Sequence, residues 1–94
     1  MKSITTTELT TALEKGATLL DIREAFEYQS GHVPVAKNLP MSELESRLSE
    51  IQPGSYLICQ SGARSERACN YLAAQGIEVT NVLGGTSAWA GELM

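Results

Sequence analysis

The stretch SYLICQSGARSERACNYLAAQGIEVTNV, residues 55–82, changes its hydrophobic rhythm twice. Residues 55–59, SYLIC, form an apolar run too short for a helix and read as a buried strand. From Ser65 the apolar residues Ala68, Cys69 and Leu72 fall on one helical face, and Gly76 closes the pattern. Residues 77–82, IEVTNV, return to a strand. Strand, helix and strand in succession predict a crossover unit of a parallel sheet.

The flanking sequence extends the same alternation. Thr5-x-x-Glu8 is a capping-box pattern followed by Leu9, Ala12 and Leu13 on one helical face, and Gly16 ends that helix. Residues 18–22, TLLDI, read as a second buried strand. Glu24–Gln29 carries a brief helical pattern with Gly31 behind it, and residues 35–40, VAKNLP, give a short strand. Ser42-x-x-Glu45 predicts a cap for a helix bearing Leu44, Leu48 and Ile51, and Pro53-Gly54 makes a turn. After Gly84-Gly85 a last short helix is expected to hold Ala88, Trp89 and Leu93. The expected fold is α/β: one domain over residues 1–94, a small, mainly parallel sheet with helices on both faces.

Composition narrows the function classes. The chain has 94 residues, 43% hydrophobic, and a net charge of −4, so general attraction to nucleic acid or to an anionic membrane surface is not expected and any anion site must be local. No apolar run approaches the ~18 residues of a membrane span, and MKSITTTEL lacks the apolar segment of a secretory signal, which points to the cytoplasm. Two cysteines and one histidine, without C-x-x-C or H-x-x-x-H spacing, make neither a disulfide framework nor a zinc site.

A chemical use for one thiol remains. In open α/β sheets ligands bind beyond the carboxyl ends of strands, and Cys59 ends the strand expected at the centre. The residues CQSGAR, 59–64, make a tight turn from that strand to a helix start near Arg64 or Ser65, with Gly62 free to adopt a positive φ. Backbone N–H groups in such a turn form an anion nest, reinforced by the helix N-terminus. Together with the Arg64 cation they would favour a Cys59 thiolate, and Arg64 also offers a forked donor set to an oxyanion. Cys69 lies on the apolar helical face and reads as core. His32 reads as an ordinary hydrogen-bonding loop residue, Asp21 as a loop anchor, Arg23 and Glu24 as surface charge, and Ser65 as a helix N-cap whose hydroxyl can also serve the sulfur.

Three blocks, LLDIREAFEYQSGHVPVAKNLP (19–40), YLICQSGARSERACNYLAAQG (56–76) and VLGGTSAWAGEL (82–93), resemble the single-domain rhodaneses, the thiosulfate sulfurtransferase family. One departure is Val35, where the family pattern commonly has Gly before the alanine matched by Ala36. The resemblance implies a persulfide-forming cysteine at Cys59, an active-site loop of Gln60, Ser61, Gly62, Ala63 and Arg64 followed by Ser65, and Asp21 as a supporting aspartate. It further implies an anionic sulfur donor such as thiosulfate, a thiol or sulfur-carrier protein as acceptor, and no cofactor. Cysteine-dependent phosphatases and arsenate reductases share such a site but commonly use C-x5-R, one residue longer than the C-x4-R here, and no general acid is identifiable. A non-catalytic or partner-specific sulfur-carrier module is the other alternative.

Overall fold

In a computed structural model that describes residues 1–94, the strands are β1 (Lys2–Ile4), β2 (Leu19–Asp21), β3 (Lys37–Asn38), β4 (Tyr56–Ile58) and β5 (Thr80–Val82). The helices are α1 (Thr6–Glu14), α2 (Ala25–Gln29), α3 (Ala63–Ala74) and α4 (Gly85–Ala88), with 3-10 turns at Met41–Glu43 and Glu45–Glu50. All strand pairs are parallel and the order is β1-β5-β4-β2-β3, so β4 is central as expected. No helix is long and apolar enough to cross a membrane.

Strand alternation sends neighbouring residues to opposite faces, and the core is divided accordingly. Leu20, Ile22, Leu57 and Cys59 face one layer, where they meet Ala68, Cys69 and Leu72 of α3 and Leu44 and Ile51 of the 3-10 segment. Leu19, Ile58 and Val82 face the other, where Leu9 of α1, Val33 and Ala36 cover them. Helices therefore lie on both faces of a wholly parallel sheet. The Thr5 and Glu8 capping box forms with both reciprocal bonds, at 3.1 and 2.8 Å, and sets the start of α1.

Several elements differ from the sequence expectation. β1 was not foreseen: three mostly exposed residues carry no apolar pattern, and the strand exists because the sheet edge at β5 supplies its hydrogen-bond partners. The helix expected behind Ser42 is instead a pair of 3-10 turns starting after Pro40, because the Ser42 hydroxyl donates to the Glu24 carboxylate at 2.7 Å and so does not cap. β5 begins at Thr80 rather than Ile77, since the Ile77 N–H still closes α3 by bonding the Leu72 carbonyl at 2.9 Å. α4 stops at Ala88, leaving Leu93 outside it and half-exposed.

Residues 33–36 form a tight turn closed by the Ala36 N–H on the Val33 carbonyl at 3.1 Å. Pro34 occupies the second corner and Val35 the third, at φ +67°, the chain's one non-glycine residue with positive φ. A β-branched residue there carries roughly 1–2 kcal/mol of strain, and the 73% exposed side chain recovers little by burial. Val35→Asn is expected to stabilise the fold by about 1 kcal/mol, since Asn tolerates this region. A urea midpoint that rises at constant slope would bear this out; an unchanged midpoint would refute it.

Candidate active site

Cys59 follows directly on β4, and its residue is 1% exposed. Gly62 caps α3 with φ +102°, which turns the chain back over the thiol. A Cβ on Gly62 would lie 3.3 Å from the Gly84 nitrogen, so the position also needs a small residue. The Gly62 and Ser65 N–H groups donate to Cys59 Sγ at 3.1 and 3.4 Å, and the Ser65 hydroxyl lies 3.3 Å from it. α3 begins at Ala63, so Ser65 is not the N-cap expected from sequence. It is a fully buried residue of the first turn, with its hydroxyl directed to sulfur, to the Gly62 carbonyl at 3.2 Å and to Asn81 Oδ1 at 2.5 Å. The single hydroxyl proton can go to Asn81 or to a Cys59 thiolate, while a Cys59 thiol can donate to the serine oxygen.

α4 orients the loop from outside. The Cys59 carbonyl accepts from the Thr86 N–H at 2.9 Å and the Thr86 hydroxyl at 3.1 Å, and the Gln60 carbonyl accepts from the Ser87 N–H at 3.0 Å. In a trans peptide the N–H points opposite to the C=O, so drawing the Gln60 carbonyl toward α4 turns the Ser61 N–H toward the thiol. The approach is close at Gly85, φ +59°, where a Cβ would come within 2.8 Å of the Gln60 carbonyl carbon and oxygen and closer still to the Cys59 carbonyl oxygen.

Asp21 ends β2 beside this loop and is fully buried. Its carboxylate accepts from the Arg23 N–H at 3.0 Å and forms an ion pair with Arg23 Nη2 at 2.8 Å. Arg23, read from sequence as surface charge, is 3% exposed: the carboxylate two residues earlier compensates its burial. Its Nη1 donates to Gln60 Oε1 at 3.1 Å and its Nη2 to the Gly31 carbonyl at 2.8 Å, while Gln60 Nε2 reaches Ser87 Oγ at 2.8 Å. Asp21 thus acts on the loop through Arg23 and Gln60. His32 is held by the Tyr28 carbonyl at 3.0 Å and stacks on the Tyr28 ring.

Arg64 differs most from its expected part. Its two terminal nitrogens donate to the two oxygens of Glu27 at 2.7 and 2.9 Å, so the fork proposed for a donor oxyanion is already occupied. The Arg64 hydrogen bonds hold the Glu27 carboxyl well below the usual carboxylate range, at about 2, against the opposing effect of burial. The stabilising effect of this pair is present above the ordinary carboxylate pKa and is lost as pH falls toward 2. Glu27, Asn81 and Gly85 were not singled out from sequence. They lie 37, 16 and more than 20 positions from their partners, and only the fold joins them.

For Cys59 the largest single influence is burial, which pushes the thiol pKa up. The Ser65 hydroxyl and the N–H groups of Ser65, Gly62 and Ser61 together outweigh it and leave the thiol below its ordinary value. Hydrogen bonding to the charged form, more than a neighbouring cation, makes thiolate available. Burial without such donors pushes Cys69 up to about 11. Ser65→Ala is expected to move the pH midpoint of Cys59 alkylation upward and to slow alkylation at neutral pH by about tenfold, as loss of one hydrogen bond to a charged group implies. An unmoved midpoint would show that the N–H groups alone suffice.

The arrangement is a strand-end thiol in a nest of N–H donors, built to stabilise negative charge on sulfur. Residues 5–92 match the family model described as Rhodanese-like domain. The chain is 34% identical to the putative sulfurtransferase YtwF of Bacillus subtilis, over 98% of this chain and 93% of that protein. It is 32% identical to the thiosulfate sulfurtransferase GlpE of Pseudomonas savastanoi pv. phaseolicola, over 81% and 74%. Among solved structures, the rhodanese-like domain protein from Staphylococcus aureus is similar with a TM-score of 0.91 and 37% identity, over 100% of this chain and 97% of that one. With fold, loop and relatives in agreement, the chain belongs to the rhodanese-like domain family and to its chemistry of sulfur transfer.

Proposed function

We propose that the protein is a sulfurtransferase that carries sulfane sulfur as a Cys59 persulfide, from thiosulfate or a persulfide donor to a thiophilic acceptor such as cyanide, a thiol or a sulfur-carrier protein. The observation that carries this reading is the convergence of the Gly62 N–H, the Ser65 N–H and the Ser65 hydroxyl on Cys59 Sγ. With thiosulfate, the Cys59 thiolate attacks the outer sulfur, a new S–S bond forms, the old one breaks, and sulfite leaves with the electron pair. The acceptor then attacks the terminal persulfide sulfur and restores the thiolate. This is nucleophilic catalysis in two displacement steps without an external oxidant or reductant.

The loop of Gln60, Ser61, Gly62, Ala63, Arg64 and Ser65 supplies preorganised donors for the anionic sulfur in both steps; one such donor is worth about 3–4 kcal/mol in comparable sites. Asp21 supports the loop through Arg23, and Arg64 frames its rim through Glu27. The test is intact mass after treatment with a sulfane donor. One added sulfur, removed by cyanide or thiol and absent from Cys59→Ser, is expected; no added sulfur with any donor would overturn the reading.

A further inference from the structure

We propose that the preferred donor is an organic persulfide, R–S–SH, rather than the thiosulfate dianion, because the cations at the mouth of the Cys59 loop are already committed to carboxylates. The proposal rests on the sulfurtransferase reading and narrows its substrate class.

Thiosulfate must bring two negative charges to a thiolate that already carries one. In water, two charges brought to about 5 Å from a third slow the approach by about tenfold, and by more in a drier site, unless a cation compensates. Two arginines border the loop. Arg64 has both terminal nitrogens on Glu27, and Arg23 is buried with its donors on Asp21, Gln60 and Gly31. Each guanidinium is matched by a full carboxylate, and the low pKa of Glu27 keeps its pair intact at neutral pH. The loop side chains Gln60, Ser61 and Ala63 are uncharged.

The remaining cations do not fill the gap. Arg47 is held by Glu43 and Glu50. Lys2 and Lys37 open their strands and Lys15 precedes β2, which places all three toward the amino ends of parallel strands, whereas Cys59 lies past a carboxyl end. Arg67 is exposed and its backbone sits roughly 4.5 Å further along α3 than that of Arg64, so it offers the mouth only a solvated charge that salt screens. With a net charge of −4 overall, the mouth has loop N–H groups already turned to the Cys59 sulfur and no side-chain cation held there for a dianion.

What the rim does offer is apolar. Leu83 is 47% exposed with its Cα 3.9 Å from the position of a Cβ on Gly62, and Ala63 of the loop is exposed as well. An organic R group can rest on such side chains, and a sulfonate gains nothing from them. The step balances without further reagents. The Cys59 thiolate attacks the terminal sulfur of R–S–SH, the Sγ–S bond forms, the S–S bond of the donor breaks, and R–S⁻ leaves with the electron pair and takes a proton from water. The transferred sulfur keeps its oxidation level, and Cys59–S–SH remains, to be ionised among the loop N–H groups.

The test compares sodium thiosulfate with cysteine persulfide, whose reacting protonated form bears no net charge, on the full chain, with persulfide formation at Cys59 followed by intact mass. In the wild type, kcat/KM for thiosulfate should stay level or rise as ionic strength goes from about 0.02 to 0.3 M, since screening relieves repulsion. A several-fold fall would reveal cation guidance and overturn the proposal. Glu27→Gln should free the Arg64 fork and shift the ratio of the two kcat/KM values toward thiosulfate by about tenfold; an unchanged ratio in folded variant would overturn it. The salt dependence needs no variant and decides the matter if Glu27→Gln does not fold. Labelling by thiosulfate but not by cysteine persulfide sinks this proposal alone, whereas labelling by neither sinks the sulfurtransferase reading with it.

Discussion

Cys59→Ser is expected to lose all detectable sulfur uptake and turnover, whereas Cys69→Ala keeps turnover within about twofold. The two thiols share a core cluster and are nearly equally buried, at 1% and 2% exposure. What separates them is the supply of donors. Cys59 has the hydroxyl of Ser65 and three N–H groups directed at sulfur; Cys69, in mid-helix, is raised chiefly by burial, with the charges of Cys59 and Glu66 adding to it. At pH 7 a thiol near 11 is thiolate in only about one molecule in 10,000, too little for nucleophilic work. A serine at 59 retains the hydrogen bonds but has a hydroxyl pKa far beyond the reach of these donors, so the loss is chemical and the fold should survive. Mass spectrometry after donor treatment and a steady-state assay would check both. Turnover abolished by Cys69→Ala in a folded protein would mean that the second thiol takes part in the chemistry.

A second large effect is expected at Gly85, which touches no substrate. Gly85→Ala should reduce sulfur transfer by about 100-fold, since misplacing preorganised groups by about an ångström has that consequence. It should also destabilise the fold by about 2–4 kcal/mol, combining overpacking against the Cys59 and Gln60 carbonyls with the strain of alanine at φ +59°. Gly16→Ala is the matched control, because Gly16 has φ +89° but nothing within 4 Å of a Cβ. Its effect should be limited to backbone strain of about 1 kcal/mol, with activity unchanged. Denaturation curves, kcat/KM and the pH profile of Cys59 alkylation would be compared for the three proteins. Equal behaviour of the two alanine variants would show that contact with the loop carbonyls is unimportant.

The central part of the fold was legible because its signals are local. Leu57, Ile58 and Cys59 form a short apolar run, Ala68, Cys69 and Leu72 keep a helical period, and Thr5 with Glu8 makes a cap whose partners are three residues apart. The anomaly at Val35 was legible as well: the residue that stands where the family pattern has Gly is the one forced to a positive φ. The parts that escaped depend on distant partners. β1 has no pattern of its own; Ser42 has the form of a cap but is claimed by Glu24, 18 residues away. At the site, spacing located the thiol, its loop and Arg64, but not Glu27, which occupies the arginine, nor the burial of Arg23. An arginine at a helix start says that a positive charge is present, and only the fold says whether it is free.

The order of the strands has a consequence for how the protein tolerates company. The outermost strands, β1 and β3, contain three and two residues, and each begins with an exposed lysine, Lys2 and Lys37. A foreign chain seeking to extend the sheet by hydrogen bonding finds a short ladder at either margin and a charge that must be dehydrated to use it. The apolar runs around Leu20 and Leu57, short as they are, lie in the interior strands with helices above and below, where they cannot pair with another chain. Self-templated aggregation of this fold is therefore favoured by its unfolding, since crowding native molecules together offers only two short, charged edges on which to start.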